Sequence, residues 1–161
     1  PGPVPVLLAD ERVMVELICD GVHHRPVIAA MSIDAATPRR VALVTDAMSA
    51  TGNGDGRYIL GELEVEVADG TARLVTADGS PGAIAGSTLT MDKAFEFVVQ
   101  QVGVSIPDAA LMAATTPAAW HRLDDVGRLA PGCRADVCLV GDDGRLHGVM
   151  RRGQWVVQPR P

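Results

Sequence analysis

The sequence feature that most constrains the fold is a pair of short apolar runs near the N-terminus. Residues 13–19 and residues 41–44 are almost uninterrupted runs of apolar side chains, and an aspartate follows each of them, Asp20 and Asp46 respectively. Such runs, rich in β-branched residues, are typical of strands that are buried on both faces of a parallel sheet. Pro26 can begin a helix between them, so the segment predicts a strand–helix–strand crossover.

The crossover helix and the segment after the second strand have different patterns. Residues 60–79 alternate apolar residues with glutamates and turn at Asp69-Gly70, which predicts a β-hairpin with one solvated face. The glycine-rich residues 52–56 follow no strand-to-helix pattern and are interpreted as a flexible loop. The apolar stripe expected for the crossover helix consists of Val27, Ile28 and Met31.

The second half of the chain predicts helices followed by a small antiparallel sheet. Apolar residues at helical spacing predict a helix from residue 91 that stops at Gly103. Ser105 is the expected N-cap of the next helix, and Thr116 begins a third, short helix. Three final strands are predicted at residues 135–140, 146–150 and 154–157, and they form a meander.

Composition excludes several classes of protein. The chain has 161 residues, fewer than the roughly 200–250 of a complete (β/α)8 barrel. A net charge of −6 and 3% aromatic residues argue against nucleic-acid binding, which needs basic and stacking side chains. No apolar run approaches the ~20 residues that span a bilayer. Cys19 and Cys138 lie within apolar runs, so we expect buried, reduced thiols and a cytoplasmic location.

The residues after the two apolar runs are the candidates for chemistry. Asp46 lies just past a predicted buried strand, separated from it by Thr45, so we expect a partly desolvated carboxylate suited to general acid/base work. An N-cap role for whatever follows Asp46 fits the sequence equally well. His23 and His24 lie on the loop after the first strand, where one of them could reach a shared site or both could simply be polar loop residues.

Metal and anion sites are less well supported by the residues themselves. Asp46 with one of the two adjacent histidines would supply two ligands, whereas catalytic zinc sites typically have three protein ligands. The sequence also lacks H-x-H and H-E-x-x-H motifs and any cysteine pair with zinc spacing. Gly86-Ser87-Thr88 precedes a predicted helix and is a candidate for anion or hydroxyl contact through backbone N–H groups.

Several longer segments resemble a known family. They are DGVH at 20–23, LVTDAMSATG at 43–52, LGELEVEV at 60–67, IAGSTLTMDKA at 84–94, and TTPAAWHRL with GRLAPGCRADVCLV at 115–140. In order and spacing, over nearly the whole chain, these segments resemble the N-acetylglucosamine-6-phosphate deacetylases of the amidohydrolase superfamily.

The resemblance implies an α/β fold and a division of the chain into two parts. Residues 1–126 would be the C-terminal part of a metal-dependent (β/α)8 TIM-barrel hydrolase, with the hairpin at about 60–79 as an insertion. Residues 127–161 would be the C-terminal part of a small β-sandwich domain formed from both chain ends. The chain would then be somewhat under half of the enzyme, beginning just after the family's last metal ligand.

The resemblance also implies a reaction and a set of partners. The reaction is hydrolysis of N-acetyl-D-glucosamine 6-phosphate to D-glucosamine 6-phosphate and acetate, in which metal-bound water attacks the amide. The divalent metal is expected to be zinc, with iron, manganese or cobalt as alternatives. A glutamate and two histidines that precede residue 1 would bind it. The expected partners are the small amino-sugar phosphate and a second subunit in a homodimer, with no nucleic acid and no membrane.

The family's site residues transfer to this chain by position within the motifs. Asp46 would be the catalytic acid/base and would lie adjacent to the metal. The residues expected to contact substrate are Asp20, Gly21, Val22, His23, Ile84, Ala85 and Gly86.

Two other functions remain open from the sequence. One is another amidohydrolase-superfamily hydrolase with a different N-acyl substrate. The other is an inactive truncated fragment that acts only in binding or assembly. If the chain is part of a deacetylase, we expect these residues alone to be nearly inactive, because the metal ligands would be missing.

Overall fold

The computed structural model describes residues 2–159 and divides into two compact units. One unit extends up to Val44 and resumes at Asp92, and the other is Thr45–Met91. The helices are α1 (Val4–Ala9), α2 (Pro26–Ala36), α3 (Met91–Phe97), α4 (Ile106–Ala110) and α5 (Thr116–Trp120). The strands are β1 (Val15–Ile18), β2 (Val41–Val44), β3 (Gly56–Leu60), β4 (Leu63–Ala68), β5 (Thr71–Val75), β6 (Pro81–Ile84), β7 (Val137–Val140), β8 (Leu146–Arg151) and β9 (Gln154–Val157).

The predicted strand–helix–strand crossover is present in the first unit. Strands β1 and β2 pair in parallel, and α2 connects them, beginning at Pro26 in the first turn. β2 is buried as predicted, from Val41 through Leu43. The prediction that β1 is buried on both faces is wrong, because Glu16 is exposed. An ionised carboxylate without a partner stays in water, since its burial would cost far more than a strand position contributes.

The apolar stripe predicted for α2 is wrong. Val27, Ile28 and Met31 are exposed, and the buried face of the helix is formed by Ala29, Ile33 and Ala36. The helix is apolar on more than one side, so periodicity could not decide which side is buried. The small side chains of the alanines let the helix backbone approach its neighbours closely, which favours the buried face observed. The residues of the core cluster in this unit include Leu17, Cys19, Val41, Phe95, Val98 and Met112.

The cysteines differ from one another in their surroundings. Cys19 is fully buried, as expected, whereas Cys138 is exposed, so the prediction of a buried Cys138 is wrong. Cys138 lies on β7, an edge strand of the three-stranded sheet with order β7-β8-β9. An edge strand has a strand neighbour on one side only, so an apolar sequence there does not by itself ensure burial.

The second unit contains the predicted hairpin within a larger sheet. Strands β4 and β5 turn at Asp69-Gly70 as expected, and Glu62, Glu64 and Glu66 are exposed. The sheet has four strands in the order β3-β4-β5-β6. Gly56, predicted to lie in a loop, is the first residue of β3 and pairs with Val67. The outer strands form through pairing with the central hairpin, which a local pattern does not reveal.

The helical segment and the C-terminal meander follow the prediction. Gly103 has φ 84°, the left-handed conformation of a helix C-cap, and ends the wide turn Val98–Val102 that continues α3. The Ser105 hydroxyl accepts a hydrogen bond from the Asp108 N–H at 3.2 Å, which confirms the predicted N-cap. Strands β7, β8 and β9 form the antiparallel meander.

Between residues 2 and 159, none of the helices has both the length and the apolar character that spanning a membrane requires.

Candidate functional site

The site residues predicted from the sequence lie in two groups, one in each unit. Asp20, Gly21, Val22 and His23 follow β1 in the first unit. Asp46 lies in the second unit together with residues 84–86. Within each unit, members of the group lie close to one another.

In the first group, Asp20 organises the turn after β1. Its Oδ1 atom accepts hydrogen bonds from the backbone N–H groups of Val22 at 2.9 Å and His23 at 2.8 Å. Its Oδ2 atom lies 2.7 Å from Nδ1 of His23. The Asp20 side chain is 11% exposed and that of His23 is 20% exposed. Both carboxylate oxygens are therefore engaged within the turn, and the pair is shielded from water.

The electrostatics of the turn favour an ionised Asp20. Burial by itself would raise the pKa of the Asp20 carboxyl. The hydrogen bonds from the His23 side chain and from the His23 and Val22 N–H groups outweigh burial and hold the pKa below its ordinary value. An ionised carboxylate only accepts hydrogen bonds, so Nδ1 of His23 carries a proton. Nε2 is then the ring nitrogen left for a further partner, as in carboxylate-oriented histidines at many sites.

Gly21 is required by the backbone and by its neighbour. Its φ is 78°, and a Cβ atom there would lie 3.0 Å from Cε2 of Phe97. A side chain at position 21 would therefore be strained and would also displace the phenyl ring. Val22 is exposed and His24 is half-buried. The D-G-x-H sequence thus combines a capping carboxylate, a left-handed glycine and an oriented histidine within four residues.

The thiol next to this turn is held in its neutral form. Burial raises the pKa of Cys19 to about 12, and the nearby charge of Asp20 adds to the effect. Thiolates, not thiols, act as nucleophiles and metal ligands. Cys19 is therefore a core residue rather than a reactive group of this site.

In the second group, Asp46 has an uncommon backbone conformation. Its φ is 50°, in the left-handed region that aspartate tolerates better than most non-glycine residues do. Asp46 is exposed, so the partial desolvation expected from its position after a buried strand is wrong for this chain. The N-cap alternative is also wrong, because turns rather than a helix follow Asp46. Its neighbour Ala47 instead forms an isolated parallel bridge with Ser87.

Of residues 84–86, Gly86 lies beside Asp46 in the second unit. Ile84 is half-buried at the end of β6. Ala85 is buried in the core cluster of this unit, and its N–H donates to the Ala72 carbonyl at 3.1 Å. Gly86 has φ 65°, and a Cβ atom there would lie 3.2 Å from the Asp46 carbonyl oxygen. The close approach between Gly86 and Asp46 explains why this position needs a glycine.

Ser87 is a residue whose importance at the site the sequence did not reveal. Its N–H donates to the Asp46 carbonyl at 2.8 Å, so this N–H is not available for the anion contact considered for Gly86-Ser87-Thr88. Its hydroxyl donates to the carbonyl of Thr45. In the sequence, Ser87 is marked by its position directly after Gly86. That position could not reveal hydrogen-bond partners that lie more than 40 residues away.

The side chains present do not fit a complete metal site. In the part of the chain that the structure describes, no three His, Cys, Asp or Glu side chains come close enough together to hold an ion. Catalytic zinc sites typically use three protein ligands, and a carboxylate with one histidine supplies fewer. Neither the turn at Asp20 and His23 nor the segment around Asp46 therefore supplies a complete ligand set by itself.

Comparisons with known proteins identify the family. The Amidohydrolase family matches residues 16–156. The N-acetylgalactosamine-6-phosphate deacetylase of Escherichia coli O157:H7 is 42% identical over 156 residues, which are 96% of this chain and 40% of that protein. A shorter relative from Escherichia coli (strain K12) is also 42% identical, and the match covers 96% of this chain and 89% of that relative.

A solved structure gives the same result. The N-acetyl-D-glucosamine-6-phosphate deacetylase of Mycobacterium smegmatis, in complex with N-acetyl-D-glucosamine-6-phosphate, superposes with a TM-score of 0.86 at 41% identity. The match covers 98% of this chain and 41% of that one. The chain thus spans about 40% of the length of these longer proteins.

The chain belongs to the amidohydrolase family. Its resemblance to the N-acetylglucosamine-6-phosphate deacetylases, first seen in its motifs, is confirmed by relatives and solved structures that carry the names of amino-sugar-6-phosphate deacetylases. The α/β class that the resemblance implies is confirmed with it. The amidohydrolase superfamily is generally metal-dependent.

Proposed function

We propose that this chain is part of an enzyme that hydrolyses the acetamide of an N-acetylated amino sugar 6-phosphate. The observation that carries the proposal is the 41% identity and TM-score of 0.86 to a deacetylase in complex with such a sugar phosphate. In this proposal, residues 1–126 are the C-terminal part of a (β/α)8 barrel and residues 127–161 belong to a small β-domain. The intact protein is a cytoplasmic homodimer.

The residues of this chain have distinct roles in the proposed reaction. The Asp46 carboxylate takes a proton from the water that attacks the amide carbonyl and delivers it to the departing nitrogen. A C–O bond forms, the C–N bond breaks, and the products are acetate and the free amine. His23, oriented by Asp20, donates or accepts a hydrogen bond on the sugar phosphate through Nε2, and residues 84–86 lie beside the substrate.

The proposed reaction uses a divalent metal, with zinc as the first candidate. The described residues of this chain do not form a complete ligand set for it. It would supply Lewis acidity to the carbonyl. The residues that hold it would come from outside the described part of the chain, because that part contains no cluster of three candidate ligands. We therefore expect the 161 residues alone to release acetate very slowly.

Two epimeric sugars are candidate substrates. The first is N-acetylglucosamine 6-phosphate, the ligand in the Mycobacterium smegmatis complex. The second is N-acetylgalactosamine 6-phosphate, because the Escherichia coli O157:H7 relative at 42% identity has the name of a galactosamine enzyme. The two sugars differ in the configuration of one hydroxyl, so a single hydrogen bond in the sugar pocket can separate them.

The test is acetate release by the longest polypeptide that contains this sequence, supplied with Zn²⁺ and with each 6-phosphate or the unphosphorylated sugar. We expect turnover of at least one 6-phosphate and little of the unphosphorylated sugar. Asp46→Asn should lower kcat by about 10²- to 10⁴-fold, the range for loss of a general acid/base. Asparagine also tolerates the left-handed backbone, so the variant should keep its fold.

The control for charge is Asp142→Asn, at an exposed position in the β7–β8 turn. It should leave kcat unchanged. Full activity of Asp46→Asn would remove Asp46 from the acid/base role. Equal turnover of phosphorylated and unphosphorylated substrates would favour a different N-acyl hydrolase, and no turnover of any substrate would favour a binding or assembly role. Rapid acetate release by the 161 residues alone would contradict the metal assignment.

A further inference from the structure

Ser87 and Asp46 are connected more extensively than their distance in the sequence suggests. Ser87 is 4% exposed, and its backbone and side-chain polar atoms are all engaged within the second unit. Its N–H donates to the Asp46 carbonyl at 2.8 Å, and its hydroxyl donates to the Thr45 carbonyl. Its own carbonyl accepts from the Met48 N–H at 3.0 Å and from the Thr51 hydroxyl at 3.2 Å.

These contacts restrain the two peptide groups that flank Asp46. The Thr45 carbonyl belongs to the peptide group before Asp46, and the Asp46 carbonyl belongs to the one after it. The orientations of these two planes define φ and ψ of Asp46, and hence the direction of its Cα–Cβ bond. Ser87 holds one plane through its hydroxyl and the other through its N–H.

The backbone conformation of Asp46 is unfavourable by itself and needs stabilising contacts. Asp46 has φ 50°, and a non-glycine residue there costs roughly 1–2 kcal/mol relative to ordinary backbone conformations. Strained conformations persist when the surrounding structure over-determines them, and they cluster at functional sites. Gly86 contributes by its lack of a side chain, since a Cβ atom there would lie 3.2 Å from the Asp46 carbonyl oxygen.

We propose that Ser87 is a positioning residue for Asp46, which sets the direction of the Asp46 carboxylate by holding both flanking peptide groups. The inference rests on the proposed function, in which Asp46 is the acid/base. Ser87 itself contacts neither substrate nor reacting atoms in this account. Its hydroxyl also accepts a hydrogen bond from the Leu89 N–H at 3.0 Å, so the hydrogen bonds of Ser87 also restrain the segment that leads to α3.

The test compares Ser87→Ala with Thr116→Val, in the same full-length polypeptide. Thr116 is the matched control, because it is also buried and its hydroxyl also donates to a backbone carbonyl, that of Pro38 at 2.8 Å. We expect Ser87→Ala to lower kcat by about 10- to 100-fold with KM nearly unchanged, since misplacement of a catalytic group costs up to about that much. Thr116→Val should lower the melting temperature but leave kcat unchanged.

A second variant and a second measurement keep the test decisive. Ser87→Cys preserves much of the side-chain volume but replaces the hydroxyl by a weak donor, so it should show the same loss in kcat if Ser87→Ala does not fold. Amide hydrogen exchange at Met48 and at position 87 should become faster in both variants. This measurement does not depend on activity, so it still applies if the proposed function fails.

The possible outcomes distinguish a failure of the proposed function from a failure of the positioning role of Ser87. No acetate release by the unsubstituted polypeptide would overturn the proposed function alone, and amide exchange would then decide whether Ser87 holds the Asp46 backbone. Unchanged exchange at Met48 and position 87 would overturn the positioning role. A fall in kcat that is matched by Thr116→Val, or a rise in KM without a fall in kcat, would overturn it as well.

Discussion

At the scale of single residues, Asp20 both stabilises the turn after β1 and orients the side chain of His23, a candidate for substrate contact. One carboxylate accepts two backbone N–H groups and also faces Nδ1 of His23 at 2.7 Å. The same group therefore stabilises the turn after β1 and determines which ring nitrogen of His23 remains for a ligand. Because its pKa is lowered in the folded protein, Asp20 also makes stability depend on pH.

The direction of this pH dependence follows from the lowered pKa. The contribution of Asp20 to folding is complete above its unfolded pKa of about 3.9 and is lost as the pH falls through the lower pKa of the folded state. Asp20→Asn should therefore cost about 1–2 kcal/mol in the free energy of unfolding at pH 7. The cost should shrink as the pH falls below about 3.9, which urea unfolding at pH 7 and at a series of lower pH values would measure.

The control is again Asp142→Asn, which changes the charge equally at an exposed position. It should shift the free energy of unfolding little at either pH. Parallel curves of stability against pH for the unsubstituted chain and for Asp20→Asn would contradict the role given to the Asp20 carboxylate.

At the scale of elements, the close approach of Gly127 to α5 shows how a turn residue limits packing. Gly127 has φ 79°, and a Cβ atom there would lie 2.4 Å from Cβ of Ala118 and 2.9 Å from the Ala114 carbonyl oxygen. Its carbonyl accepts a hydrogen bond from the Thr115 hydroxyl at 2.6 Å. The chain leaving α5 can therefore pass close to the helix only without a side chain at this position.

Gly127→Ala tests this packing against a matched glycine. Gly103 has a similar φ of 84°, but no heavy atom lies within 4 Å of the place where its Cβ would be. Both substitutions introduce strain of about 1–2 kcal/mol from the left-handed backbone. Gly127→Ala should cost about 1–3 kcal/mol more, from overpacking against α5. Thermal or urea unfolding would measure the difference, and equal losses of stability would contradict the steric account.

At the scale of the whole molecule, exposed apolar side chains mark a surface of the first unit. Val27 and Met31 on α2 are 63% and 62% exposed, one helical turn apart. Val4, Val6 and Leu7 on α1 are exposed as well. Contiguous exposed apolar surface favours association in water.

We expect these side chains to mediate association between copies of the chain, so that replacement of Val27 and Met31 by lysine should reduce it. We expect Val27→Lys/Met31→Lys to shift the chain toward the monomer in size-exclusion chromatography with light scattering, without a large change in melting temperature. The control is Asp34→Asn/Ala35→Lys, which changes the charge by the same amount at exposed positions of the same helix. Similar shifts for both variants would show that net charge, not the apolar surface, governs association.

The sequence predicted the local parts of this molecule well. Pro26 begins α2, Gly103 ends the turn Val98–Val102 that continues α3, Ser105 caps α4, and Asp69-Gly70 turns the hairpin, all as expected. These features depend on the conformational preferences of one or a few adjacent residues. The hydrogen bonds of the D-G-x-H turn were not predicted, although they are equally local and join residues two or three apart.

Other features were decided by contacts between distant segments. Only the tertiary structure shows that α2 buries Ala29 and Ile33 rather than Val27 and Met31, since the sequence is apolar on several sides of the helix. Likewise, Gly56 joins a strand because β4 offers it a partner, and the Ser87 hydroxyl donates to the carbonyl of Thr45, 42 residues away. Local sequence determines which conformations a segment prefers, but burial and long-range hydrogen bonds depend on which segments meet.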